Sequence, residues 1–118
     1  MKEFQFNCIS YVYCEAGLLR KERMLNNVPK DKVMRRFEKV EKIEEADALA
    51  VFGDSEVGVI AIHMAIINED LITVTHRKGI DAPVKVEKID SALSDYINEP
   101  GAELVYLKFK PKSKLIFW

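Results

Sequence analysis

Apolar side chains recur along this chain with two different periods, and each change of period marks an element boundary. From Phe4 to Cys14, Phe4, Phe6, Cys8, Ser10, Val12 and Cys14 share one face under a period of two. Gln5, Asn7, Ile9, Tyr11 and Tyr13 share the other. Aromatic and β-branched residues dominate the segment, so it is expected to be a strand with a core face and a partly wet face carrying Tyr11 and Tyr13. Glu15-Ala16-Gly17 is a turn signal. Residues 18–26 fit a hairpin return strand or a short helix, and the nearness of Gly17 favours the strand.

Asn26-Asn27-Val28-Pro29 interrupts the pattern, and a helix is expected over about residues 30–44. Pro29 precedes it and Asp31 lies in its first turn, where a negative charge suits the helix dipole. Val33, Phe37, Val40 and Glu44 fall on one stripe, while Lys32, Arg35, Arg36, Lys39 and Lys42 fall on another. Asp31–Arg35 and Glu38–Lys42 are acid-before-base pairs at i, i+4.

Beyond Glu45 the period shortens again. Residues 48–52 read as a strand, Gly53 to Gly58 as a hairpin loop, and residues 57–67 as a strand apolar on both faces. A buried helix capped by Ser55 is the competing reading of 57–67. A turn at Asn68-Glu69-Asp70 leads to strands at 71–76 and 84–89, joined by a loop holding Gly79 and Pro83. A second helix is expected over about 90–98, with Leu93 and Ile97 at i, i+4, stopped by Pro100-Gly101. Residues 104–110 alternate as a last strand. The tail Leu115-Ile116-Phe117-Trp118 is apolar enough to be tied into the sheet or packed on a partner.

These elements add up to an α+β domain spanning residues 1–118. It has a mainly antiparallel sheet of about five to seven strands and a single layer of two helices. The element order resembles a ferredoxin-like layout with extra strands, which implies no function. At 118 residues, 48% apolar and 31% charged, the chain can bury a real core, and disordered, collagenous or disulfide-scaffold classes are excluded. Charge nearly cancels, with 18 basic and 19 acidic side chains, but unevenly. Residues 1–43 carry 10 bases and 6 acids, residues 44–103 carry 4 and 13, and residues 104–118 carry 4 and none. The two ends are therefore expected to form one basic face.

Cys8 and Cys14 are too far apart to pair within one strand or one helix, which points to reduced thiols and a cytoplasmic protein. Residues 1–6 do not read as a signal peptide, and the longest apolar run is too short to span a bilayer.

His63 and His76 are the sharpest candidate chemistry. A two-residue turn at Glu69-Asp70 would pair Asn68 with Leu71 and set His63 directly opposite His76. Such a pair suits a metal, a phosphate or acid–base work, whereas a slip of one residue would destroy it. Neither histidine lies in a His-x-Ser/Thr pattern. Gly53 to Gly58 has phosphate-loop spacing but no following lysine, and no Gly-x-Ser-x-Gly elbow exists. The acids Asp54, Glu56, Glu69 and Asp70 lie in two loops and read as solvated. No metal site and no cofactor is implied.

Three functions follow. The leading one is a small non-catalytic interaction module of inhibitor, immunity or adaptor type. It would bind a protein partner or form a homodimer through an edge strand, the Tyr11/Tyr13 face or the tail Leu115, Ile116, Phe117 and Trp118. The second is binding of nucleic acid or another anionic ligand by Arg35, Arg36, Lys39 and Lys42, with Lys108, Lys110, Lys112 and Lys114 as extensions and Tyr106 and Phe109 as stacking candidates. The third is a small enzyme or metabolite binder using His63 and His76. The absence of a recognisable active-site pattern leans the reading away from an enzyme.

Overall fold

A computed structural model describes residues 7–111. The elements are α1 (Cys8–Glu15), α2 (Lys30–Arg36), β1 (Phe37–Val40), a 3-10 turn (Ile43–Glu45), β2 (Ala48–Ser55), β3 (Gly58–Ile67), β4 (Thr73–Arg77), β5 (Val84–Lys88), α3 (Ile89–Ser94) and β6 (Glu103–Phe109). The six strands form one antiparallel sheet in the order β1-β6-β2-β3-β4-β5. The fold is thus α+β, as expected, with six strands and three helices among the described residues.

β2 and β3 occupy the middle of the sheet, which is why both faces of 57–67 are apolar. Alternate residues supply two separate cores. Ala48, Ala50, Phe52, Ala61 and Met64 face α1 and α2. Leu49, Ala65, Ile67 and Val74 face α3 and the 3-10 turn. The expected single helix layer is therefore joined by α3 on the opposite face. β3 carries one extra residue: Val51 pairs with His63 but Phe52 pairs with Ala61, leaving Ile62 as a bulge.

Four local expectations are corrected. First, the predicted strand over 4–14 is helix wherever it is described. Its buried apolar residues Ile9, Val12 and Tyr13, with Ala16 at the C-cap, are spaced i, i+3, i+4, i+7. Asn7 caps this helix by accepting from the Ser10 amide at 2.9 Å, and Ser10 Oγ accepts from the Asn7 amide at 2.8 Å. Gly17, at φ 80°, ends it. The amides of Gly17 and Leu18 donate to the carbonyls of Cys14 and Tyr13, a Schellman closure that glycine accommodates without strain. With a helix in first place and helices on both faces, the ferredoxin-like layout does not describe the chain.

Second, residues 18–26 form neither strand nor helix. They run irregularly over the first core, pinned where Asn7 Nδ2 donates to the Leu25 carbonyl at 2.9 Å. Third, the helix expected over 30–44 stops at Arg36. Residues 37–40 turn extended because they pair with β6, Phe37 opposite Phe109 and Val40 opposite Tyr106. That long-range ladder overrides a local helical preference worth only tenths of a kcal/mol per residue. Fourth, the Gly53–Gly58 loop is only a two-residue turn, because β2 runs to Ser55 and β3 starts at Gly58. The second helix is also shorter than expected, Ile89–Ser94. Lys112, Lys114 and the tail 115–118 lie outside the described residues.

The Asn7 cap ties the sequence to this packing. Asn7→Ala removes the side-chain cap on the Ser10 amide and the tether to Leu25, and is expected to lower stability by about 1–2 kcal/mol. Urea unfolding monitored by circular dichroism measures this, and an unchanged midpoint would mean that α1 holds without its cap.

Candidate functional site

The β3–β4 connection decides where the histidines meet. A five-residue link, 68–72, with Leu71 at φ 61°, replaces the expected two-residue turn. Asp70 organises it: its carboxylate accepts from the amides of Ile72 and Thr73 at 2.9 and 2.8 Å. The register becomes Ile66 opposite Thr75 and Ile67 opposite Val74, two residues from the expected one. A shift of two keeps each side chain on its face, so His63 and His76 become diagonal neighbours instead of direct ones. They are joined all the same, His63 Nε2 lying 2.7 Å from His76 Nδ1.

The pair belongs to a longer chain of polar groups. His76 Nε2 lies 2.9 Å from Glu87 Oε1 on β5. Glu87 Oε2 takes Lys78 Nζ at 3.2 Å, and Lys78 also reaches Asp95 at 3.1 Å. Tyr96 stacks on His63 with ring centroids 4.3 Å apart and planes within 7°. Burial works to raise the Glu87 carboxyl, but the His76 and Lys78 hydrogen bonds and the Lys78 and Lys85 charges outweigh it and hold it below the usual range. An ionised Glu87 accepts, so His76 Nε2 carries a proton and, in the neutral ring, His76 Nδ1 is a lone pair. In that state His63 Nε2 donates to it, and in either state His63 Nδ1 has no partner among the described residues.

His63 and His76 are 1% and 0% exposed. Burial first, then the neighbouring His76 and Lys78, push His63 from 6.5 down to about 3, so it stays neutral at ordinary pH. The two rings are thus spent on each other inside the second core and not presented to solvent. Among the described residues, no group of three or more His, Cys, Asp or Glu side chains is placed to hold a metal ion. Cys8 and Cys14 are unpaired, and burial raises both thiols, so neither is an activated thiolate.

The remaining candidates are dispersed. Tyr13 is buried edge-on against Phe37 at 5.4 Å, while Tyr11 is half-buried with the Arg77 guanidinium 5.7 Å from its ring centroid. They do not share one open face. Arg35 and Arg36 stay together and exposed at the end of α2, but Lys39 lies on β1 and Lys42 beyond it, so the basic stripe is broken. Neither Asp31–Arg35 nor Glu38–Lys42 forms an ion pair among the described residues. Asp54 and Glu56 lie at one end of β3, and Glu69 and Asp70 at the other. Glu87, Tyr96 and Lys78 escaped sequence reasoning because no local pattern marks a residue that reaches across strands.

No protein-family model matches the chain, and neither does any curated protein or solved structure. No helix among the described residues is long and apolar enough to cross a membrane.

A buried neutral histidine makes stability depend on acid. The folded value near 3 lies below the unfolded value of 6.5, so the unfolded chain binds the extra proton first. This contribution is intact above the unfolded value and erodes as pH falls below it, by about 2 kcal/mol near pH 5. His63→Gln places an amide nitrogen near the former Nε2 and removes the titration. Urea unfolding near neutrality and near pH 5 is expected to show this loss in the parent and a much smaller one in the variant. Equal losses in both would place the acid sensitivity elsewhere.

Proposed function

We propose that the protein is a small non-catalytic interaction module that self-associates by pairing β5 with β5 of a second copy. The observation that carries this reading is the chemistry of the β5 edge. Among the described residues β5 ends the sheet, and its outer side meets no other strand. Val84 and Val86 are 43% and 63% exposed on it.

The sequence Val84-Lys85-Val86-Glu87-Lys88 is complementary to itself in one register. Antiparallel pairing about Val86 sets Lys85 opposite the partner's Glu87 and the two Val86 side chains together. Opposite charges and β-branched pairs across strands contribute about 0.2–1 kcal/mol each. Centring the pairing on Lys85 or on Glu87 instead sets like charges face to face, so the intended register is selected. β1 at the other edge is only four residues long, with exposed Glu38 and Lys39, features that discourage pairing. An edge this short buries less than the roughly 1,200 Å² of a stable interface, so association is reversible. The free thiols favour a reducing compartment such as the cytoplasm. Catalysis finds no support in histidines whose nitrogens are turned inward.

Sedimentation over a range of concentrations tests the reading. The parent is expected to rise from the single-chain mass of 13.6 kDa toward twice that value. Val86→Lys, an exposed substitution that places two ammonium groups across the two-fold axis, is expected to stay at the single-chain mass with an unchanged thermal midpoint. A parent that never leaves the single-chain mass, or a variant that dimerises as well as the parent, would sink the reading.

A further inference from the structure

The irregular segment before α2 and α2 itself enclose a cleft of about 710 Å³. That volume lies within the range of small-molecule sites, about 300–1,000 Å³. Lys32, Arg35 and Arg36 line it together with Asn26, Asn27 and the buried Tyr13. None of its ten described lining residues is acidic. This is a local concentration of one sign in a chain whose net charge is only −1. Among the described residues, no hydrogen bond or ion pair engages the side chains of these three cations. Arg36 lies close enough for its charge to act on the Tyr13 phenol, lowering a group that burial raises.

The walls are fixed before any ligand arrives. Asn7 holds Leu25, the Ala61 amide donates to the Val28 carbonyl at 2.9 Å, and Pro29 bridges to Ile60. Three like charges with no ion pair among the described residues repel one another, and a multiply charged oxyanion relieves that repulsion. Two guanidinium forks match phosphate oxygens in pairs, and the asparagine amides can add donors. We propose that this cleft binds a small organic phosphate carrying at least two negative charges. A nucleic-acid strand fits less well. A polymer needs cations spread along a track, and Lys39 and Lys42, which would extend the track, are not among the residues lining the cleft.

Isothermal titration calorimetry of the full chain with inorganic pyrophosphate tests this. One saturable site is expected, with affinity falling as salt rises. Arg35→Ala and Arg36→Ala are each expected to weaken binding by about tenfold, the effect of losing one charge-assisted contact. Both positions are exposed, so an unchanged thermal midpoint of the free variants shows that they fold. Absence of binding to the parent, or binding unaffected by both substitutions, would overturn the proposal. So would a single-stranded oligonucleotide that binds more tightly than pyrophosphate and weakens on Lys39→Glu and Lys42→Glu. Val86→Lys should leave pyrophosphate binding intact, since α2 packs on β1 and β3 whereas β5 is the far edge of the sheet. Failure of self-association and failure of the cleft are therefore separable.

Discussion

From Ala61 to Ile67 the central strand β3 has both faces covered, and the rest of the molecule answers to that constraint. Its residues alternate between two cores, so each face of the sheet needs its own cover. On one side α1, α2 and the irregular segment supply it; on the other, α3, the 3-10 turn and Tyr96 do. A histidine placed in such a strand meets a strict condition. Its polar nitrogens must find partners inside, because an unpaired polar group buried in apolar surroundings is costly. His63 meets the condition on one side only, through His76 and outward to Glu87 at the wetter rim. The relay carries the demand for hydrogen bonding from the interior to groups that touch solvent.

The parts legible in the sequence were those whose signal is local. The runs at 48–52, 57–67 and 104–110 are strands whose composition and burial agree, and 84–89 is a strand although its valines stay exposed. The histidine pairing survived a wrong register because the error was two residues, an even shift that preserves the face. α1 was legible but misread. Its stripe Ile9, Val12, Tyr13, Ala16 and its Asn7/Ser10 cap are both in the sequence, yet β-branched and aromatic composition argued for a strand. β1 was not legible, since residues 37–40 look helical until β6, more than 60 residues away, pairs with them. That pairing also broke the basic stripe, and the cleft that Lys32 lines depends on a segment with no regular structure to predict.

The pairing of β1 with β6 bears on charge as well as topology. It brings together the two end segments of the chain that are rich in lysine and arginine, with Glu38 opposite Lys108. The acid-rich middle segment supplies β2 to β5 and α3. Most acids of that middle segment lie in its turns, its loops and α3 and not in its strands. α2, whose Lys32, Arg35 and Arg36 line the cleft, packs on β1 and so lies beside this junction of the two ends.

β6 lies between β1 and β2, two strands that are near neighbours in sequence but never touch as a ladder. While the chain emerges from a ribosome, the β2–β3–β4–β5 meander can form early, but β1 has no partner until residue 109 is free. During that interval the unpaired flank of β2, with Leu49 and Val51 at full apolar strength, offers itself to any passing strand. The order of strands thus makes late arrival of one segment the vulnerable moment in the protein's biogenesis, and it favours folding that waits for the complete sheet.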